Sequence, residues 1–354
     1  LTLALWAMPL AGQEVSRSTF RGLSLREIGP ALTSGRIADF AVNPENPSEY
    51  YVAVASGGVW KTQDGGVTFR SIFDGQGSYS IGCVTIDPND RNVIWVGSGE
   101  NGSGRHVGYG DGVYLSLDGG KSWENMGLNN PGHNSMIRVH PDNSDIVWVA
   151  AQGPLWNPGG DRGLYKTTDG GQSWTRILNI DENTGVNEFV IDPADPDIIV
   201  ASSYQRRRHV WTLINGGPGS GIHKTTDGGK TWREISQGVP GGDLGRIGLA
   251  MAPSSPNLLY AIIEADDEGK GVYRSADFGE SWEKRSSHMT TSPQYYNELV
   301  VDPNDADVVY SLDTFTNRSE DGGKTWSRLS IASRHVDDHA LWIDPADSDH
   351  LIIG

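Results

Sequence analysis

Three observations predict an all-β chain built from radially repeated, four-stranded blades, a β-propeller. A nine-residue phrase, KTTDGGKTW at 224–232, returns five more times with small changes. A second phrase, an apolar strand ending in x-Pro, a short turn and another apolar strand, precedes each copy. The 354 residues also carry 46 Gly, 12 Trp and 12 Tyr in short β-rich runs, enough for one large domain. The other copies of the nine-residue phrase are KTQDGGVTF at 61–69, LSLDGGKSW at 115–123, KTTDGGQSW at 166–174, RSADFGESW at 274–282 and RSEDGGKTW at 318–326. Their aspartates, Asp64, Asp118, Asp169, Asp227, Asp277 and Asp321, stand 54, 51, 58, 50 and 44 residues apart, the spacing of a repeat architecture.

Each nine-residue phrase reads as a tight hairpin. Its Asp accepts hydrogen bonds from its own turn, its glycines take backbone conformations closed to other residues, and Trp or Phe opens the next strand. The preceding phrase supplies two more strands, as in RIADFAVNPENPSEYYVAVA at 36–55, VNEFVIDPADPDIIVAS at 186–202 and YNELVVDPNDADVVYSL at 296–312. Further copies carry Pro88, Pro141 and Pro253, and a seventh begins at Asp338. Every repeat therefore holds strand A before the x-Pro turn, B after it, C leading into the Asp turn and D from its aromatic. Four-stranded units repeated radially are propeller blades. Leu25-Arg26-Glu27-Ile28 repeats the strand D phrase Trp232-Arg233-Glu234-Ile235 with no turn before it, and is expected to be an orphan strand D that completes the last blade. The sequence stops at Gly354 after strand B of blade seven, so at least seven blades are begun and the chain is expected to be a fragment of a longer one.

A net charge of −17 and a pI near 4.8 disfavour nucleic acid and anionic membrane as partners. The single cysteine, Cys83, excludes an intrachain disulfide and a thiolate metal cluster, and is expected to be a buried small hydrophobe. No motif calls for a cofactor. The run LTLALWAMPLA at 1–11 is too short to span a bilayer and precedes a polar segment, as a secretory signal does. Residues 1–19 are thus expected to be a signal-peptide remnant and linker, and 20–354 the propeller of a secreted, periplasmic or cell-surface protein. No later run is long and apolar enough for a membrane helix.

Antiparallel strands put the A–B and C–D turns on one face of the blades and the B–C and D–A loops on the other. The first face is stereotyped. The second carries the long, variable loops where binding residues concentrate: SGENGSGRHVGYGDG at 98–112, with Arg105 and His106; QGPLWNPGGDRG at 152–163, with Trp156; and SSYQRRRHVWTLINGGPGSG at 202–221. In the last, Arg206, Arg207 and Arg208 with Trp211 suit a carboxylate or a sugar ring, or alternatively clamp the acidic loop Asp266-Asp267-Glu268. At the entrance to blade seven, alternation in an extended segment points His335, Asp337 and His339 to one side and Asp338 away. That set suits a divalent metal, acid–base work, or a hydrogen-bonded blade junction. Asp39, Glu188 and Glu298 occupy equivalent positions four residues before the residue that precedes the aligned proline. They either line an axial funnel for a cation or glycan hydroxyls, or bond to adjacent blades.

The pattern S/T-x-D-x-G-x-T/S-W/F resembles the Asp-box, or BNR, repeat of sialidases, sortilin-type receptors and two-propeller xyloglucanases. Across 20–354 the blades most resemble sortilin-like secreted proteins. This resemblance implies the propeller fold and, since such boxes occur in enzymes and receptors alike, no particular activity. In the xyloglucanases a catalytic Asp precedes V/I-G-G at the end of the first strand B; the corresponding phrase here is Ala55-Ser56-Gly57-Gly58, and Ala55 carries no acid. Sialidases use three arginines, for which Arg36, Arg105 and Arg246 stand at possible positions without the accompanying motif. The reading is therefore a binding propeller for a polypeptide or glycan on its variable face. The alternative is a glycoside hydrolase that needs sequence beyond Gly354.

Overall fold

The computed structural model describes residues 35–102, 107–130, 132–332 and 334–354, and every regular element among them is a strand. Blade one comprises β1 (Ile37–Val42), β2 (Tyr50–Val54), β3 (Gly58–Thr62) and β4 (Arg70–Ser71). Blade two comprises β5 (Ile81–Ile86), β6 (Ile94–Ser98), β7 (Val113–Ser116) and β8 (Glu124–Asn125). Blade three comprises β9 (Asn134–His140), β10 (Asn143–Gln152), β11 (Arg162–Thr167) and β12 (Thr175–Leu178). Blade four holds β13 (Thr184–Ile191), β14 (Ile199–His209), an extra β15 (Thr212–Asn215), β16 (Gly221–Thr225) and β17 (Arg233–Glu234). Blade five is β18 (Ile247–Met251), β19 (Leu259–Ile263), β20 (Gly271–Ser275) and β21 (Glu283–Ser286). Blade six is β22 (Glu298–Val301), β23 (Val309–Leu312), β24 (Asn317–Ser319) and β25 (Ser327–Arg328), and a two-stranded sheet of β26 (Leu341–Asp344) and β27 (Asp347–Ile353) follows.

Strand order within the blades is sequential and antiparallel throughout, with β15 pairing only with β14. The first strands stand side by side around the axis: β1 against β5, β5 against β9, β9 against β13, β13 against β18, and β18 against β22. The two-stranded sheet fills the remaining sector. Ile343 and Leu351 pack on Tyr310 and Val300 of blade six, Ile352 packs with Ile37 and Val52 of blade one, and β26 lies beside β1. Seven sheets therefore close the ring among the described residues. The orphan strand expected at Leu25–Ile28 lies outside them.

Because the blades are covered on both faces, second strands are buried without alternation where they cross the sheet. β2 (YYVAV) and β19 (LYAII) are buried at every position. The x-Pro turns are set by the side chain before the proline: Asp87 Oδ1 accepts from Asn89 N at 2.7 Å, Asp192 Oδ1 from Ala194 N at 2.8 Å and Asp302 Oδ1 from Asn304 N at 2.8 Å.

The nine-residue turns act on the blade behind them as well as on themselves. At Asp169, Oδ1 accepts from Thr167 Oγ1 at 2.6 Å and Ser173 N at 2.9 Å, and Oδ2 from Ser173 Oγ at 2.5 Å. Gly170 and Gly171 hold φ of 68° and 89°, and a Cβ on Gly171 would stand 2.8 Å from the Trp95 ring of blade two. Trp174 then donates from Nε1 to Met126 O at 2.8 Å and meets Trp95 edge-on at 6.2 Å. Strand D begins one residue after each aromatic, not on it. The aromatics are unequally covered: Trp282 is 5% exposed, whereas Trp232 is half-buried and Phe69 is 44% exposed.

Candidate functional site

The inner strands share a local irregularity that sequence reading does not show. Pairing shifts register between Ile37 and Asp39, between Ile81 and Cys83, and between Val186 and Glu188. A bulge re-aims the next side chain, and here it turns Asp39 and Glu188 sideways along the ring. Asp39 Oδ2 accepts from Val84 N of blade two at 3.0 Å, and Glu188 Oε2 from Leu249 N of blade five at 2.6 Å. Glu298 takes the Arg246 guanidinium at 3.0 Å. Of the two arrangements open for these acids, the geometry is that of bonds to adjacent blades. Burial pushes the Asp39 carboxyl up to about 6 and raises Glu188 and Glu298 as well, with Arg246 opposing the shift in both glutamates. Cys83 is buried beside Asp39, and burial raises its thiol.

Nearer the loop face, a second set of groups converges from several blades. Arg36, just before β1, donates from Nη1 to Tyr295 OH at 2.8 Å, lies 4.7 Å over the Tyr295 ring and pairs with Glu100. Arg246, just before β18, donates to Tyr295 O at 3.3 Å. Arg206 in β14 is fully buried and donates to Asn101 O at 3.3 Å; burial lowers it to about 9, with Arg246 and Arg162 adding repulsion. Arg162 gives its guanidinium to the carbonyls of Gln152, Pro154 and Asn157. Sequence reading singled out Arg206 but missed Arg162, whose partners lie in its own blade-three loop, and Glu100 and Tyr295, which meet at Arg36 only because segments of different blades meet there.

The cluster expected at His335, Asp337 and His339 forms only in part. Asp337 has φ of 84°, which breaks the extended alternation, so His335 is exposed with its ring against its neighbour's carbonyl. Asp337 and His339 do meet, at 3.5 Å, and Tyr296 stacks on His339 at 4.7 Å while its hydroxyl donates to Asp337. The His339 bond holds Asp337 down at about 2, and burial lowers His339. Asp338 turns to Thr316 and Arg334. Among the described residues no three His, Cys, Asp or Glu side chains gather as a metal site.

The long loop of blade four is in fact a hairpin. β14 runs out to His209 and returns as β15, with Arg207 opposite Ile214 and His209 opposite Thr212. Its tip exposes Val210 (89%) and Trp211 (83%), and Trp211 stacks on His209 at 5.7 Å and 12°. Arg207 bridges to the blade-three loop through Trp156 O at 3.3 Å and to Asn183 Oδ1 at 3.0 Å, and Arg208 N donates to Leu155 O at 2.9 Å. Trp156 and Ile214 are exposed beside it. In the acidic loop, Asp267 pairs with Lys270. Arg105 and His106 lie outside the described residues. Ala55 is buried at the end of strand B with its N–H on Arg36 O, and brings no titratable group.

A β-propeller with one stereotyped and one variable face is the class that fold and site define. A family model described as Sortilin-Vps10, "Sortilin, neurotensin receptor 3", matches residues 111–269. A probable oligoxyloglucan-reducing end-specific xyloglucanase of Neosartorya fischeri is 22% identical over 366 residues, covering 89% of this chain and 41% of the relative. A xyloglucanase of a Paenibacillus species is 28% identical over 276 residues, covering 69% of this chain and 25% of the relative. The chain thus spans well under half the length of these curated relatives. Among solved structures, the GH74 xyloglucanase from Xanthomonas campestris superposes with a TM-score of 0.64 at 17% identity, over 90% of this chain and 50% of the other. A propeller solved as YCF48 bound to D1 peptide superposes with a TM-score of 0.58 at 17% identity, over 91% of this chain and 90% of the other. The chain is a β-propeller distantly related to the xyloglucanases.

Proposed function

We propose that this chain is the binding propeller of an exported protein and takes up a glycan on its variable face, at the β14–β15 hairpin. The observation that carries the reading is the hairpin itself. Three large apolar residues, Val210, Trp211 and Ile214, are exposed on a hydrogen-bonded hairpin, Trp156 of the blade-three loop is exposed where Arg207 bonds its carbonyl, and Trp211 is already stacked on His209. A flat, pre-ordered aromatic of this kind presents its face to a sugar ring at little entropic cost. The glycan-active names of the sequence relatives support a glycan over a polypeptide. No helix among the described residues is long and apolar enough to cross a membrane.

The second reading, a glycoside hydrolase completed by further sequence, is favoured by those same names. Against it stands Ala55 at the place where the resemblance puts a catalytic acid. Affinity electrophoresis in gels containing xyloglucan or other neutral polysaccharides tests the first reading. Retardation that disappears in Trp211→Ala supports it, and retardation unchanged by Trp211→Ala refutes this face as the site. Turnover of xyloglucan by the full-length gene product, abolished by substituting a loop carboxylate, would establish the second.

A further inference from the structure

We propose that the loop-side mouth of the propeller axis is a carboxylate site for an acidic sugar, a uronate unit of a glycan, and that Glu100 occupies it when no ligand is bound. Two guanidinium groups meet one short stretch that leaves blade two, Arg36 at Glu100 and Arg206 at Asn101, and a third, Arg246, meets Tyr295 just before β22 while it pairs with Glu298 at 3.0 Å. Arg36 and Arg246 both reach Tyr295, at 2.8 Å to its hydroxyl and 3.3 Å to its carbonyl, and Arg206 reaches Asn101 O at 3.3 Å. A Cβ on Gly102 would stand 3.7 Å from Tyr295, so these contacts share one small volume.

Glu100 supplies the carboxylate found there. It pairs with Arg36, its side chain is only 2% exposed, and its other oxygen accepts from Gly108 N at 3.4 Å. Glu100 is carried on the chain that leaves β6, whereas the arginines belong to strands or strand starts. The arrangement is therefore a basic frame with an exchangeable acid in it. Planar guanidinium groups are the side chains best matched to a carboxylate, since each offers two parallel donors.

The surroundings suit an incoming acid in a protein of net charge −17. Glu298 just below is already paired with Arg246, and burial raises both it and Glu188, so these acids oppose a second carboxylate less than free surface acids would. Arg36 is 20% exposed at its side chain and gives access from solvent. The Tyr295 ring, half-buried between Arg36 and His339 at 4.5 Å, is an apolar wall for a sugar ring rather than for an extended peptide terminus. The choice of a sugar rests on the glycan reading above; the carboxylate site rests on the arginines alone.

The test is calorimetric titration of the whole chain with an oligoglucuronate, a neutral xyloglucan oligosaccharide and a peptide with a free C-terminus. Glu100→Gln removes the competing charge and is expected to bind oligoglucuronate about tenfold more tightly than the unaltered chain, as removal of a self-occupied state predicts. Arg36→Lys, which keeps the charge and loses the fork, is expected to weaken that binding, and neutral oligosaccharide binding should not change in either variant. Unchanged oligoglucuronate affinity in Glu100→Gln, with melting midpoint and circular dichroism intact, overturns the proposal. Should Glu100→Gln not fold, unchanged oligoglucuronate affinity in Arg36→Lys overturns it equally. Preference for the peptide overturns the sugar assignment. Loss of the neutral sugar alone counts against the hairpin reading and not against this site.

Discussion

Asp39 Oδ2 accepts the amide hydrogen of Val84 at 3.0 Å, and with that bond the carboxyl of one inner strand secures the backbone of the next blade. The same side chain is buried enough to be pushed up to about 6 from an ordinary 3.8. Folding therefore favours the protonated carboxyl, and the unfolded chain releases the proton first.

The sign of the pH dependence follows. A carboxyl raised in the folded state contributes stability that is fully present below about pH 4 and is lost as pH rises through about 6, a trend that raised Glu188 and Glu298 extend upward. The melting midpoint should fall between about pH 4 and pH 8, and Asp39→Asn should flatten the part of that fall below about pH 6. A slope unchanged in Asp39→Asn would show that this carboxyl is not a source of the effect.

At the acid end the turn aspartates work in the opposite sense. Hydrogen bonds from Ser122, Ser173 and Thr231 hold Asp118, Asp169 and Asp227 down at about 2. Their contribution is present above the unfolded value and is lost as pH falls below about 4 toward 2. Asp227→Asn should lower the midpoint at pH 6 and have less effect at pH 2.5, which scanning calorimetry at the two pH values will show.

Turn aromatics are not interchangeable. Trp282, 5% exposed within the blade-five core, should cost about 3–5 kcal/mol when changed to Ala. Trp232 is half-buried and should cost less, and exposed Lys230 should stay under about 0.5 kcal/mol. Urea midpoints in that order are expected; equal losses at Trp232 and Lys230 would remove the aromatic from the core.

Gly171 and Gly159 separate backbone strain from packing. Both have positive φ, 89° and 74°, but a Cβ meets the Trp95 ring at 2.8 Å in the first and nothing within 4 Å in the second. Gly159→Ala should cost about 1 kcal/mol and Gly171→Ala more than that. Denaturation of the two variants side by side checks the difference.

The blades were legible in the sequence because each carries two local signals, the x-Pro turn and the Asp turn, whose geometry is fixed by residues two to four apart. The inner-strand acids were legible as equivalent positions, while their direction was not, because a one-residue bulge before Asp39 and Glu188 leaves no mark in the residue pattern. Alternation misled at Asp337 for a related reason: a single residue at φ 84° ends it. The meeting of Arg36, Glu100 and Tyr295 joins residues 36, 100 and 295, and only closure of the ring brings them together. The 202–221 stretch reads as a loop until Arg207 is seen opposite Ile214, since Val210-Trp211 is not a usual turn pair.

The hairpin reading is tested most directly at Trp211, 83% exposed among 12 tryptophans. Acrylamide quenching of tryptophan fluorescence is measured during titration with xyloglucan oligosaccharides, in the unaltered chain and in Trp211→Ala. Saturating glycan is expected to shield the readily quenched tryptophan of the unaltered chain, and Trp211→Ala is expected to lose both this component and the binding. Glycan bound at full affinity with Trp211 still open to the quencher would contradict it.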